Sequence, residues 1–89
     1  MTDENFVPYY ETFGMYLARQ KDRNDPVGDL AQDFLRDPPD ADPVTWQSVL
    51  GQIRRRNGDP EAEIALRWAR DEYLAMDRAM REYEKLETA

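Results

Sequence analysis

The chain has 89 residues with a net charge of −7, and 40% of them are hydrophobic, including two Trp, five Tyr and three Phe. That is enough apolar material for one small core, and it argues against wholesale disorder despite 35% charged residues. With no Cys and no His, disulfides, thiolate chemistry and imidazole catalysis are excluded.

Residues 1–8 read as a frayed N-terminus, and the start Met1-Thr2-Asp3-Glu4 is too acidic for a signal peptide. The first helix is expected from Tyr9 to Gln20, with Tyr10, Phe13, Tyr16 and Leu17 facing inward. Gly14 inside it costs up to about 1 kcal/mol relative to Ala, which a close helix crossing would rationalise. Three Asp-Pro pairs follow at intervals of 17 residues: Asp25-Pro26, Asp42-Pro43 and Asp59-Pro60. Each joins an N-cap acceptor to a proline preset for a first helical turn, so each is read as a helix start.

The second helix is expected over Pro26 to Arg36, burying Val27, Leu30, Ala31, Phe34 and Leu35. Pro38 and Pro39 then enforce a stiff loop. The third helix covers Pro43 to Arg56 with Trp46, Val49, Leu50 and Ile53 inward, and Asn57-Gly58 ends it through a left-handed cap. No stretch alternates with period two, so no strand is expected. From Pro60 no breaker intervenes before the end of the chain. A fourth helix reaching Glu87 would extend about 42 Å and overhang a globule of radius of gyration about 12 Å. Its apolar positions Leu66, Ala69, Tyr73, Met76, Met80 and Tyr83 keep heptad spacing throughout. The pairs Glu63–Arg67 and Asp77–Arg81, four apart with the acid first, would support its exposed side.

In this helical frame Tyr16-Leu17, Gln20, Asp22-Arg23, Asp25-Pro26-Val27-Gly28-Asp29-Leu30-Ala31 and Asp33 resemble the YozE-type SAM-like family of small bacterial proteins. The likeness continues more loosely through Trp46, Arg54-Arg55-Arg56-Asn57-Gly58, Ala65-Leu66 and Glu72-Tyr73. Relatives place a Trp close before the Tyr. Here Trp68 lies five positions before Tyr73, so either the last helix is rotated or Met80 and Tyr83 take that place. The resemblance implies an orthogonal four-helix SAM-like bundle over residues 9–74, with residues 75–89 as a helical extension. It implies no catalytic residue, and SAM-like bundles serve as interaction modules or, at times, nucleic-acid binders.

Three polar or apolar groupings are candidates for chemistry. Asp22, Arg23, Asp25, Asp29 and Asp33 form the densest polar cluster, in which Asp25 caps, Arg23 bridges acids, and the carboxylates would suit a hard cation. They lack the close spacing of a calcium loop, so no metal or cofactor is expected. Arg54, Arg55 and Arg56 end the third helix, where cations offset its dipole; as phosphate contacts they would pair with the start of the fourth helix. Residues 1–45 carry ten acids and four bases against nine and eight in 46–89. That balance opposes nucleic acid and anionic lipid. Tyr73, Met76, Met80 and Tyr83 remain the best partner-binding stripe, for a second copy or another protein. The sequence therefore reads as a non-enzymatic, cytoplasmic, all-α interaction module, with weak nucleic-acid binding at Arg54–Arg56 as the alternative.

Overall fold

A computed structural model describes residues 11–56 and 58–88, with side chains through residue 83. Four helices follow in order: α1 Phe13–Ala18, α2 Pro26–Arg36, α3 Trp46–Arg56 and α4 Pro60–Thr88. No strand occurs among the described residues. The fold is an all-α bundle in which α2 packs most extensively on α4, α1 packs on both, and α3 packs on α4.

The helix starts follow the local chemistry more closely than the Asp-Pro pattern does. At α2 the Asp25 carboxylate accepts from the Gly28 amide at 2.9 Å, with Pro26 in the first turn. At α4 Asp59 accepts from the Glu61 amide at 3.0 Å. The middle pair starts nothing: Asp42-Pro43 is a cis peptide in the loop, and α3 begins at Trp46. The reason lies just downstream, where Ser48 N–H donates to the Thr45 hydroxyl at 3.2 Å and Thr45 N–H donates to the Ser48 hydroxyl at 2.9 Å. This reciprocal cap satisfies two amides at once. α1 is also shorter than its pattern implied. Thr12 caps it by accepting from Met15 N–H at 3.2 Å, and the chain turns after Ala18. The expected residues Tyr9 and Tyr10 lie outside the described ones, as does Asn57.

The core holds Phe13, Tyr16 and Leu17 of α1, Val27, Leu30 and Ala31 of α2, Val49 of α3, and Ala65, Leu66 and Ala69 of α4. Phe34, Trp46, Leu50 and Ile53 are half-buried against it. Leu35, placed inward by periodicity, is 46% exposed; α2 is covered by α1 and α4 on too narrow an arc to reach it. Gly14 is needed for a close approach, but of a loop and not a helix. A Cβ there would sit 2.6 Å from Val44 Cβ, and Gly14 N–H donates to the Val44 carbonyl at 3.1 Å. Gly58 closes α3 as anticipated, with φ +61° and its N–H on the Ile53 carbonyl at 2.9 Å.

α4 spans 29 residues without a break, about 44 Å at 1.5 Å per residue. It sets the shape of the molecule, 48 × 22 × 21 Å with a radius of gyration of 15.1 Å. The expected extension from residue 75 is thus continuous with the helix that packs the core.

Candidate functional site

The polar cluster of the α1–α2 turn is drawn inward by one side chain. Arg23 donates to Asp25 Oδ2 at 2.8 and 3.0 Å, to Glu72 Oε1 at 2.6 Å, to Glu72 Oε2 at 3.2 Å and to Gln20 Oε1 at 3.3 Å. Tyr16 Oη donates to the same Glu72 oxygen at 2.8 Å, and Gln20 donates to the Tyr16 carbonyl at 3.0 Å. The guanidinium lies 5.9 Å from the Trp68 ring centre. Bidentate charge-assisted bonds of this kind fix a planar donor in place, so the turn is riveted to α4 across 49 residues of sequence.

The electrostatics follow that geometry. The Arg23 hydrogen bonds hold the Glu72 carboxyl below its usual range. The Gly28 amide, then Arg23, lowers Asp25. Burial, reinforced by the Glu72 bond, pushes the Tyr16 phenol up to about 12. Gly28 completes the lock: a Cβ would lie 2.7 Å from the Arg23 carbonyl carbon and nearer still to its oxygen. Asp25 is thereby consumed as cap and as arginine partner, while Asp22 and Asp29 are exposed and Asp33 pairs with Arg36 at 2.9 Å. Among the described residues no group of three or more acids assembles as a cation site.

The arginine triplet is divided among different partners. Arg54 reaches Glu63 on α4 at 3.2 Å, Arg56 pairs with Asp37 of the preceding loop, and Arg55 is exposed. Glu63, expected to pair with Arg67, is thus engaged from α3. Arg54, Arg67 and Arg70 do share a cleft of about 50 Å³ between α3 and α4, floored by Trp46, Leu50 and Leu66. Arg70 stacks 5.0 Å from the Trp46 ring centre and bonds Asp71 at 3.1 Å. Asp77–Arg81 forms at 2.9 Å as its spacing implied. A second cleft of about 130 Å³ between α2 and α3 is lined by Leu30, Phe34, Val49, Ile53 and Ala62, with Asp37 and Arg56 at its edge. The carboxylates of Asp33 and Asp59 also line it.

The α4 stripe changes character along its length. Leu66 and Ala69 are buried. Tyr73 and Met76 are half-buried against the core. Tyr73 meets Phe13 edge-on at 5.5 Å and Tyr16 at 5.7 Å, and its hydroxyl donates to the Glu11 carbonyl at 2.6 Å. Burial raises its phenol pKa. Met80 and Tyr83 continue the same line but stand 48% and 62% exposed. The stripe is therefore one seam with a core half and a solvent half. Ile64 and Trp68, four apart, are also exposed at 60% and 44%. The heptad pattern passed over them because they lie off that seam, although an aromatic outside the apolar period was a readable signal.

No helix among the described residues is long and apolar enough to cross a membrane. No family model, curated protein or solved structure matches the chain.

Proposed function

We propose that the chain is a non-enzymatic protein-interaction module of the YozE-type, SAM-like kind, working in the cytoplasm and docking its partner on the solvent half of the α4 seam. One observation carries this reading. The line Leu66, Ala69, Tyr73, Met76, Met80, Tyr83 runs without a change of register from the buried core to an overhang where its last two members face water. Soluble helices ordinarily turn polar where packing ends. Here an adaptable Met and an amphipathic Tyr persist, a pairing suited to contact surfaces. Tyr73 and Met76 anchor the seam in the core, and Met80 and Tyr83 make the contact. The family reading draws support from the motif residues Tyr16, Gln20, Arg23, Asp25, Gly28 and Glu72, which assemble into one network.

The test compares the full chain with Met80→Asp/Tyr83→Asp in affinity purification, with circular dichroism as the check on folding. A protein retained by the native chain and lost from the folded variant supports the reading. Equal recovery from both overturns it.

A second reading, weak nucleic-acid binding, is favoured by the cleft that gathers Arg54, Arg67 and Arg70 around Trp46. It is opposed by Glu63, Asp71 and Asp37, which already hold Arg54, Arg70 and Arg56, and by the net charge of −7. Salt-sensitive binding of a labelled oligonucleotide, lost in Arg54→Glu/Arg55→Glu/Arg56→Glu, would establish it; identical behaviour of both proteins would dismiss it.

A further inference from the structure

We propose that the solvent face of α4 is self-complementary, and that a second copy of this chain packs on it antiparallel to form a weak two-fold dimer. The face consists of Arg67, Asp71, Leu74, Ala75, Arg78 and Glu82, all exposed. At about 100° per residue, these six fall within an arc of about 100°. That arc lies roughly opposite the side of α4 that buries Ala65, Leu66 and Ala69. It is therefore separate from the Met80–Tyr83 seam, which continues the buried side. Leu74 stands 45% exposed here, off the heptad line. Among the described residues Arg67, Arg78 and Glu82 have no hydrogen-bond or ion-pair partner, and Asp71 meets only its neighbour Arg70.

The order of the charges names the occupant. Along the helix the face reads positive, negative, apolar, apolar, positive, negative. A two-fold axis between Leu74 and Ala75 exchanges every charge for its opposite. Arg67 then faces Glu82 of the second copy and Asp71 faces its Arg78, each pair formed twice, as an isologous contact requires. Leu74 meets its own counterpart, and the small Ala75 lets the two helices approach. A slip of one turn in one direction sets Arg67 against Arg78, and in the other Asp71 against Glu82. A parallel pair in register sets each charge against itself. All three alternatives are repulsive, so the pattern specifies orientation and register together. The acidic excess of the chain sits in residues 1–45, whereas the four charges of this face cancel. The face is about 22 Å long and exposed ion pairs contribute little each, which places the dimer in the weak, transient class.

Sedimentation equilibrium of the full chain tests this, with circular dichroism as the check on folding. Between about 10 µM and about 1 mM the mean mass should climb from the single-chain value towards twice it. Arg67→Glu/Arg78→Glu makes the face wholly acidic, and Asp71→Arg/Glu82→Arg makes it wholly basic. Each variant alone should keep the single-chain mass throughout. An equimolar mixture of the two should pair at a concentration about tenfold below that needed by the native chain. A native chain that stays single at the highest concentration overturns the proposal. So does a mixture that fails to pair, or a dimer that survives in either variant alone. Met80→Asp/Tyr83→Asp should dimerise like the native chain; loss there also overturns the proposal, by moving the contact to the seam. Partner docking on that seam is decided separately, by its own affinity comparison.

Discussion

The two ends of α4 use their residues in opposite ways. Near its start and middle, the residues that look most chemical are spent on each other: Arg23 on Asp25 and Glu72, Arg54 on Glu63, Asp25 on the Gly28 amide. Towards its end, residues that look like ordinary core, Met80 and Tyr83, meet water. In a domain this small the dense charged motif is satisfied internally, and the exposed end of the last helix keeps apolar and aromatic residues.

The contrast is broken or sharpened by substitution at either end. The largest effect is expected for Leu17→Ala, which empties a fully buried site and should cost about 2–5 kcal/mol in urea denaturation. Gly28→Ala should cost about 1–3 kcal/mol by forcing the turn away from α2; a neutral result would show that the Arg23 carbonyl can move. Arg23→Gln should lose at most about 1 kcal/mol, because the pair with Glu72 is partly open to water. At the overhang, Met80→Asp should change stability by about 0.5 kcal/mol or less. A loss as large as that of Leu17→Ala would move Met80 into the core and end the contrast.

Acid and alkali probe the same lock from two sides. Glu72 has a folded pKa below its unfolded value. The unfolded chain therefore takes up the proton first, and the stabilisation present at neutral pH drains as pH falls through the depressed value. Thermal melts from neutral to acid pH should show this slope, reduced in Glu72→Gln and not abolished, since Glu11 and Asp25 are lowered as well. Tyr16 works the other way. Its folded pKa of about 12 lies above the ordinary phenol value, so its contribution is whole below pH 10 and is lost as the pH rises towards 12. Tyr16→Phe should reduce that alkaline step without abolishing it, since burial raises the Tyr73 phenol as well.

What the sequence disclosed depended on how local the cause was. α2 was legible to the residue, because Asp25, Pro26 and the apolar stripe act within one helix. α3 misled by three residues: Asp42-Pro43 carries a sound start signal, but Thr45 and Ser48 cap each other immediately after it. Leu35 fitted the period yet no element covers it, which spacing within one helix cannot reveal. The Arg23–Glu72 lock joins positions 49 apart, beyond any spacing rule. At the candidate site the stripe itself was readable, but the change from burial to exposure after Met76 depends on where the other three helices stop.

One consequence of the long last helix concerns hydrodynamics. A particle 48 Å long and 22 Å wide tumbles anisotropically and drags more solvent than a sphere of 10.5 kDa. On a sizing column it should elute slightly ahead of globular standards of equal mass. Light scattering or sedimentation, which report mass apart from shape, should return the single-chain value for a monomer that travels like something larger.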